Sequence, residues 1–321
     1  MAPRQLRLLA PSIRGDPAFS ISAMTEKRVS IASGNLSAEF LPDSGMLGVS
    51  LRYAGSELLR RLDDLETAKR KGSTAGIPLL YPWANRLAAP SYRADGRDVK
   101  LDPASAFLHF DDHGLPMHGV PWGKLAWDVQ ISRQDFLLAA LEWNGPKLLE
   151  LFPYPHRMEL SAELVADGLT IRTTVLANSE TALPISFGFH PYFGIPNVPR
   201  SQWRLQLPRM NKLVNDSHGI PTGSSEPFGP VDELLSDHGF DDGFALPGES
   251  SCFALSGANF KIVIDFLEGF PFTQVFAPPG KEFIAIEPMT AATNALRSGQ
   301  GLRVLPAGSE FRASFRVSVQ A

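Results

Sequence analysis

The last twelve residues, EFRASFRVSVQA (310–321), alternate between polar and apolar side chains. Phe311, Ala313, Phe315, Val317 and Val319 fall on one side, and Arg312, Ser314, Arg316 and Ser318 on the other. Successive side chains of a β-strand point to opposite faces, so this period of two describes a strand with one buried and one wet face. The pattern returns in LTIRTTVLAN, with Leu169, Ile171, Val175 and Ala177 opposite Arg172 and Thr174. RMELSAELVADGL precedes it as a strand running into Asp167-Gly168, so the two segments are predicted to form a hairpin. AWDVQISRQDFLLAALEWNG, WRLQLP, FALSG and FKIVIDF also read as strands.

The 27 prolines and 27 glycines are spread along the 321 residues, which punctuates many short elements rather than a few long ones. The best helical candidates are short: SELLRRLDDLETAKRK (56–71), helical over part of its length, and TAATNALRSG (290–299). There is no βαβ rhythm, no repeat of roughly 20 to 50 residues and no low-complexity linker. The expected fold is all-β: one large antiparallel β-sandwich with a few short helices over residues 29–321, after a loosely ordered tail over 1–28.

A formal net charge of −4 offers no basic face for nucleic acid or an anionic membrane surface. No apolar run approaches the roughly 20 residues that span a bilayer. The opening MAPRQLRLLAPSIRGD is broken by Pro11 and is too short in its apolar part for a secretory signal. The single cysteine, Cys252, excludes an internal disulfide and a cysteine-based zinc cluster. A reducing cytoplasm is the expected location. The sequence holds no G-x-G-x-x-G after a strand, no H-E-x-x-H and no G-x-S-x-G, and GVPWGKL is one residue short of a phosphate loop. Neither a cofactor nor a metal is expected.

Five stretches carry the remaining chemistry. YPWANRLAAPSY sets Asn85 and Arg86 among apolar residues; HGLPMHGVPWGKLAW holds His113 and His118; FGFHPYF holds His190. HGFDDGFALPG contains Asp241 and Asp242, most simply a turn with Gly243. In EFIAIEPMTAATNAL, Glu287 ends the apolar strand FIAI before Pro288. A carboxyl group closing a core strand would be desolvated, its pKa raised toward neutrality, and so suited to accept protons; it could equally turn to solvent. His190 could likewise be a satisfied core histidine, and Arg86 an ordinary ion-pair partner. Together, two imidazoles, a guanidinium and two carboxyl positions beside tryptophans and phenylalanines suit a neutral polyhydroxylated ligand. Aromatic faces would stack on a sugar ring while charged groups bind its hydroxyls.

The order and text of these stretches resemble the aldose 1-epimerase (galactose mutarotase) family over about residues 28–321. YPWANRLAAPSYRADGRDVKL resembles the family's Asn-Arg-Ile/Leu segment, MHGVPWGKLAW its His-Gly segment, and FGFHPYF its His-x-Tyr-Phe signature. GIPTGSSEPF resembles its Pro-Thr-Gly segment, GFDDGFAL its Gly-Tyr-Asp segment, and IAIEPMTAATNAL its Glu-Pro signature with a downstream Asn. LPDSGMLGVSLRYAGSELL and LPAGSEFRASFRV also match. Ala-Ala-Pro stands where glycines commonly follow Asn-Arg-Ile, and Asp242 beside Asp241 leaves two positions for the family aspartate.

The resemblance implies a β-supersandwich that interconverts the α and β anomers of a free aldose. It makes Glu287 the general base and His190 the general acid. It places His118 on the ring-oxygen side and gives hydroxyl binding to Arg86 and Asp241, with Asn85 nearby. The expected partner is a small-molecule sugar, with no nucleic acid and no membrane, acting on a monomer or a homodimer. Two alternatives stay open: a hexose-6-phosphate epimerase of the same fold, which should place extra basic residues around the site, and a sugar-binding protein without turnover.

Overall fold

The computed structural model describes residues 26–320 other than Asp63, Ala166, Ser179 and Glu249, and other than the side chains of Arg70 and Lys71. Residues 1–25 of the expected tail lie outside the described residues. Glu26 is anchored: it accepts from Lys69 Nζ at 2.6 Å and from the Ser44 hydroxyl.

The alternating segments form the centre of a nine-stranded antiparallel sheet. The C-terminal strand, Glu310–Gln320, pairs with Gly168–Ala177 on one side and Phe260–Glu268 on the other. The expected hairpin is present, with His156–Val165 running antiparallel to Gly168–Ala177 from His156↔Ala177 to Val165↔Gly168. An eight-stranded sheet makes the second layer. Its order places Phe240–Ala245, Phe272–Ala277, Ile284–Met289, Gly188–Phe189 and Leu79–Leu80 side by side. The two layers share one core, in which Phe189 meets Phe315 at 5.2 Å and Phe187 meets Phe311 at 6.2 Å between ring centroids. Burying each such side chain contributes about 1.5–3 kcal/mol.

Helix is scarce, as the sequence suggests; 56–71 is helical over part of its length and less helix than expected forms in 290–299. In 56–71, Ser56–Glu57 pairs as a strand with Arg52–Tyr53 and only Leu65–Lys71 is helical, capped by Asp64. Leu58 and Leu59 are buried in succession, which an amphipathic surface helix would not do. In 290–299 only Ala295–Ser298 is helical, stopped by Gly299 in the left-handed region. No helix among the described residues is long and apolar enough to cross a membrane.

Candidate active site

Register decides which side chains meet. Gly188 pairs with Met289, and Tyr192 pairs with Ala285, on the same strand Ile284–Met289. Both pairs obey one register, which sets His190 opposite Glu287. The chain breaks its ladder at His190-Pro191 without slipping, and His190 Nε2 comes to 3.1 Å from Glu287 Oε1. On the other side of Ile284–Met289, Gln274 stands in register with Glu287, and its Nε2 donates to Asp241 Oδ1 at 2.8 Å. Asp241, Gln274, Glu287 and His190 therefore run across one face of the sheet. Ile284 and Ile286 alternate with Glu287 and join the core.

Two sequence expectations are corrected here. Glu287 does not end its strand: Ile284–Met289 continues through Pro288, and all six residues are buried. The carboxyl group is thereby held inside the sheet and cannot turn to solvent, at 1% exposure. Asp241 and Asp242 do not form a turn: both lie within the strand Phe240–Ala245. Strand alternation then separates them, with Asp241 facing the cavity while Asp242 pairs with Lys212 Nζ at 2.8 Å.

Loops close the other side of a cavity of about 240 Å³ that contains Asn85, Arg86, His118, His190, Asp241 and Glu287 in its wall. All six residues expected from the sequence thus meet in one hollow. Asn85 and His118 both adopt positive φ, and His118 N donates to Asn85 O. Gly119 is required next to His118: at φ +67, a Cβ there would sit 2.2 Å from Tyr81 O. Asn294 pins the same segment, donating its N–H to Arg86 O and accepting from Ala88 N through Oδ1. Arg86 donates Nε to Asp111 Oδ2 at 2.7 Å and Nη1 to Asn85 Oδ1 at 3.2 Å.

The sequence reading missed several wall residues. Tyr192 stacks on the His190 imidazole, with centroids 4.2 Å apart, and its hydroxyl lies 3.2 Å from His190 Nε2 and 2.5 Å from Thr74 Oγ1. Its signal was available, because residue 192 shares a strand face with residue 190. Gln274 and His109 also line the hollow, and no pattern in the sequence marks them. The expected tryptophans are absent from the wall; Phe276 and Tyr192 supply its aromatic faces. Lys124 turns away, its ammonium 6.0 Å from the centre of the Phe107 ring.

Burial dominates the electrostatics. Desolvation pushes the Glu287 carboxyl well above its ordinary range; the Asp241 charge adds to this and Arg86 opposes it. Desolvation pushes the His190 imidazole well below its ordinary value, helped by His118. His118 is driven down to about 3 by desolvation, then by Arg86 and His109. Each member of the His190–Glu287 pair alone thus resists charge, yet the pair as a unit is neutral whether its shared proton sits on nitrogen or oxygen. Glu287 Oε2, His190 Nδ1 and His118 Nδ1 are buried with no hydrogen-bond partner in the protein. Three unpartnered polar atoms in one wall are what a hydrogen-bonding ligand, or water in its place, would satisfy.

The chain matches the aldose 1-epimerase family over residues 27–318. It belongs to the aldose 1-epimerase family. An uncharacterised relative, YihR of Escherichia coli K12, is 23% identical over 257 residues, 74% of this chain and 77% of the relative. Among solved structures, a galactose mutarotase-like protein from Clostridium acetobutylicum superposes with a TM-score of 0.79 at 20% identity, covering 91% of this chain and 94% of that one. An aldose epimerase homologue from C. elegans gives 0.75 at 14% identity, covering 92% and 99%. At these identities the likeness establishes the galactose mutarotase-like fold.

Proposed function

We propose that the protein is an aldose 1-epimerase acting on a free, uncharged aldose, with His190 and Glu287 as its acid–base pair. The observation that carries this reading is their 3.1 Å contact, the one buried acid–base pair among the described residues that line the hollow. In a cyclic aldose the ring oxygen and the O1 hydroxyl are both bonded to C1. An acid and a base that serve those two oxygens must therefore be close neighbours rather than opposite walls. Glu287, as carboxylate, takes the O1 proton while His190, as imidazolium, gives a proton to the ring oxygen and the C1–O5 bond breaks. The open aldehyde turns about C1–C2, and reversed transfers close the ring on the other face. The charged form of the pair is reached from the neutral one by moving one proton along the contact, with no net charge entering the buried site. Each group is expected to contribute about 10²–10⁴-fold.

The remaining wall suits a neutral sugar. Phe276 offers an aromatic face, and Asn85, Arg86, His118 and Asp241 offer hydroxyl partners. Arg86 is the sole arginine or lysine among the described residues lining the hollow, and Asp111 matches its charge. Asp241 accepts from the neutral Gln274 amide and has no ion-pair partner among the described residues. The unmatched charge in the wall is therefore negative, which disfavours a phosphate dianion and with it the hexose-6-phosphate alternative.

The test is polarimetry on freshly dissolved α-glucose and α-galactose, with xylose, arabinose and glucose 6-phosphate in the same panel. Wild type should speed anomerisation of at least one free sugar, and Glu287→Gln should bind that sugar but lose most of the rate. A variant as fast as wild type would reject Glu287 as the base. Binding without any wild-type rate above the spontaneous one would make the protein a sugar-binding relative instead.

A further inference from the structure

Two turns at opposite places in the chain share one pattern: DDHGLP at 111–116 and DSHGIP at 216–221. They also share one conformation. In each, the first Asp accepts the backbone N–H groups two and four residues on, His113 and Leu115 to Asp111 Oδ1, His218 and Ile220 to Asp216 Oδ1. Each turns on a glycine in the left-handed region, Gly114 at φ +73 and Gly219 at φ +76. The fold brings the two turns together, so that the His113 and His218 rings meet edge to face, 5.1 Å apart at 83°.

Arg86 lies between them. The first turn holds it through Asp111 Oδ2 on Nε. The second turn lies against its guanidinium: a Cβ built on Gly219 would stand 3.2 Å from Nη1. Asn85 occupies Nη1 from a third side, while Nη2 has no partner among the described residues. Neither histidine lines the sugar hollow, and both are exposed. Their contact has no other evident consequence than to close one turn on the other.

We propose that His113 and His218 are positioning residues for Arg86: their ring–ring contact latches the two turns around the guanidinium and so sets the direction in which Nη2 meets a sugar hydroxyl. Loosening the latch leaves the His190–Glu287 pair intact but lets Arg86 sample other orientations, so ground-state and transition-state binding weaken together. The result is a higher KM at constant kcat. This rests on the mutarotase reading above, and the test separates the two.

The experiment measures kcat and KM for the free sugar that wild type anomerises fastest, in His113→Ala, His218→Ala, the double variant and His218→Phe. Each alanine variant should raise KM roughly 2- to 10-fold, the factor an aromatic pair supports, with kcat within about twofold. The double variant should be no worse than either single one, because one contact is lost in all three. His218→Phe, which keeps an aromatic ring at the contact, should restore KM. Unchanged KM in both alanine variants, additive effects, or kcat falling in step with the melting temperature would each overturn the latch. Wild type that anomerises no sugar would instead overturn the mutarotase reading. Calorimetric sugar titrations of the same variants then decide the latch alone: equal affinity in all, or no affinity in wild type, rejects it.

Discussion

Asp241 and Glu287 lie on one face of the eight-stranded sheet with the Gln274 amide between them, Gln274 standing in register with Glu287 and donating to Asp241 at 2.8 Å. Behind burial, the Asp241 charge is the second cause that raises the Glu287 carboxyl, and Arg86 is the one that lowers it. Asp241→Asn keeps the volume and an oxygen for the Gln274 amide but removes the charge. It should therefore move the alkaline limb of kcat/KM to lower pH, and Arg86→Met should move it to higher pH. Opposite displacements are the signature to look for in pH–rate profiles of the two variants. An alkaline limb that stays in place or rises in Asp241→Asn contradicts the arrangement.

The wild-type profile itself has a sign fixed by burial. The active pair holds one proton. Adding a second requires charging His190, whose affinity for protons is lowered, so activity should hold as pH falls below the ordinary histidine value of 6.5. Removing the shared proton leaves an uncompensated carboxylate at Glu287, whose affinity is raised, so the alkaline limb should lie well above 4.5. The expectation is a broad plateau in kcat/KM whose two limbs are macroscopic properties of the pair. An acid limb centred at 6.5 or higher would show that His190 titrates as an unburied imidazole and is not coupled as the geometry requires.

How much of this site could be read from the chain alone depended on whether its signal was local. The C-terminal strand was legible because Phe311, Phe315 and Val317 announce one buried face by themselves. The meeting of His190 and Glu287 has no local signal and was expected only through the family resemblance, because it depends on the register of two strands 97 positions apart. The pairs Gly188↔Met289, Tyr192↔Ala285 and Phe193↔Ile284 fix that register. Asp241 and Asp242 were misread because Gly243 suggests a turn; inside a strand, the same alternation that betrayed the C-terminal segment separates them. The segment 56–71 is helical over part of its length, as expected; which part was not legible, because Leu58 and Leu59 are drawn into the core, a tertiary demand that outweighs helix propensity. His109 and Gln274 sit in no pattern at all, and only the assembled hollow shows them.

Asn294 acts at a distance from the chemistry. Its backbone N–H and side-chain oxygen hold Arg86 O and Ala88 N, and it does so at φ +68. Asn294→Ala removes the acceptor for a part-buried N–H and places an alanine in the left-handed region, a loss of about 1–3 kcal/mol of stability. Asn294→Gly relieves the backbone cost and keeps the side-chain cost. Both variants should raise KM for the sugar more than they lower kcat, and chemical denaturation should rank glycine above alanine. Equal stability of the two would mean that the positive φ carries no penalty here.

His156 makes stability acid-sensitive from outside the active site. It sits in the core, 4% exposed, stacked 5.7 Å from Trp143, and is fully satisfied: Nδ1–H donates to Tyr154 O at 2.6 Å and Nε2 accepts from the Tyr81 hydroxyl at 2.5 Å. Burial, opposed by the Tyr154 carbonyl, takes its pKa from 6.5 to about 4. The unfolded chain therefore binds a proton that the native protein refuses between those values, and stability falls as pH drops through that window. For this residue the loss from pH 7 to pH 5 is about 2 kcal/mol. His118 and His190, also pushed down, add to the same trend. His156→Gln should be less stable than wild type at pH 7, yet lose less on acidification, because its side chain has no proton to take up. Urea denaturation at pH 7 and pH 5 checks this: a wild-type pH dependence retained in full by the glutamine variant would show that His156 does not titrate on unfolding.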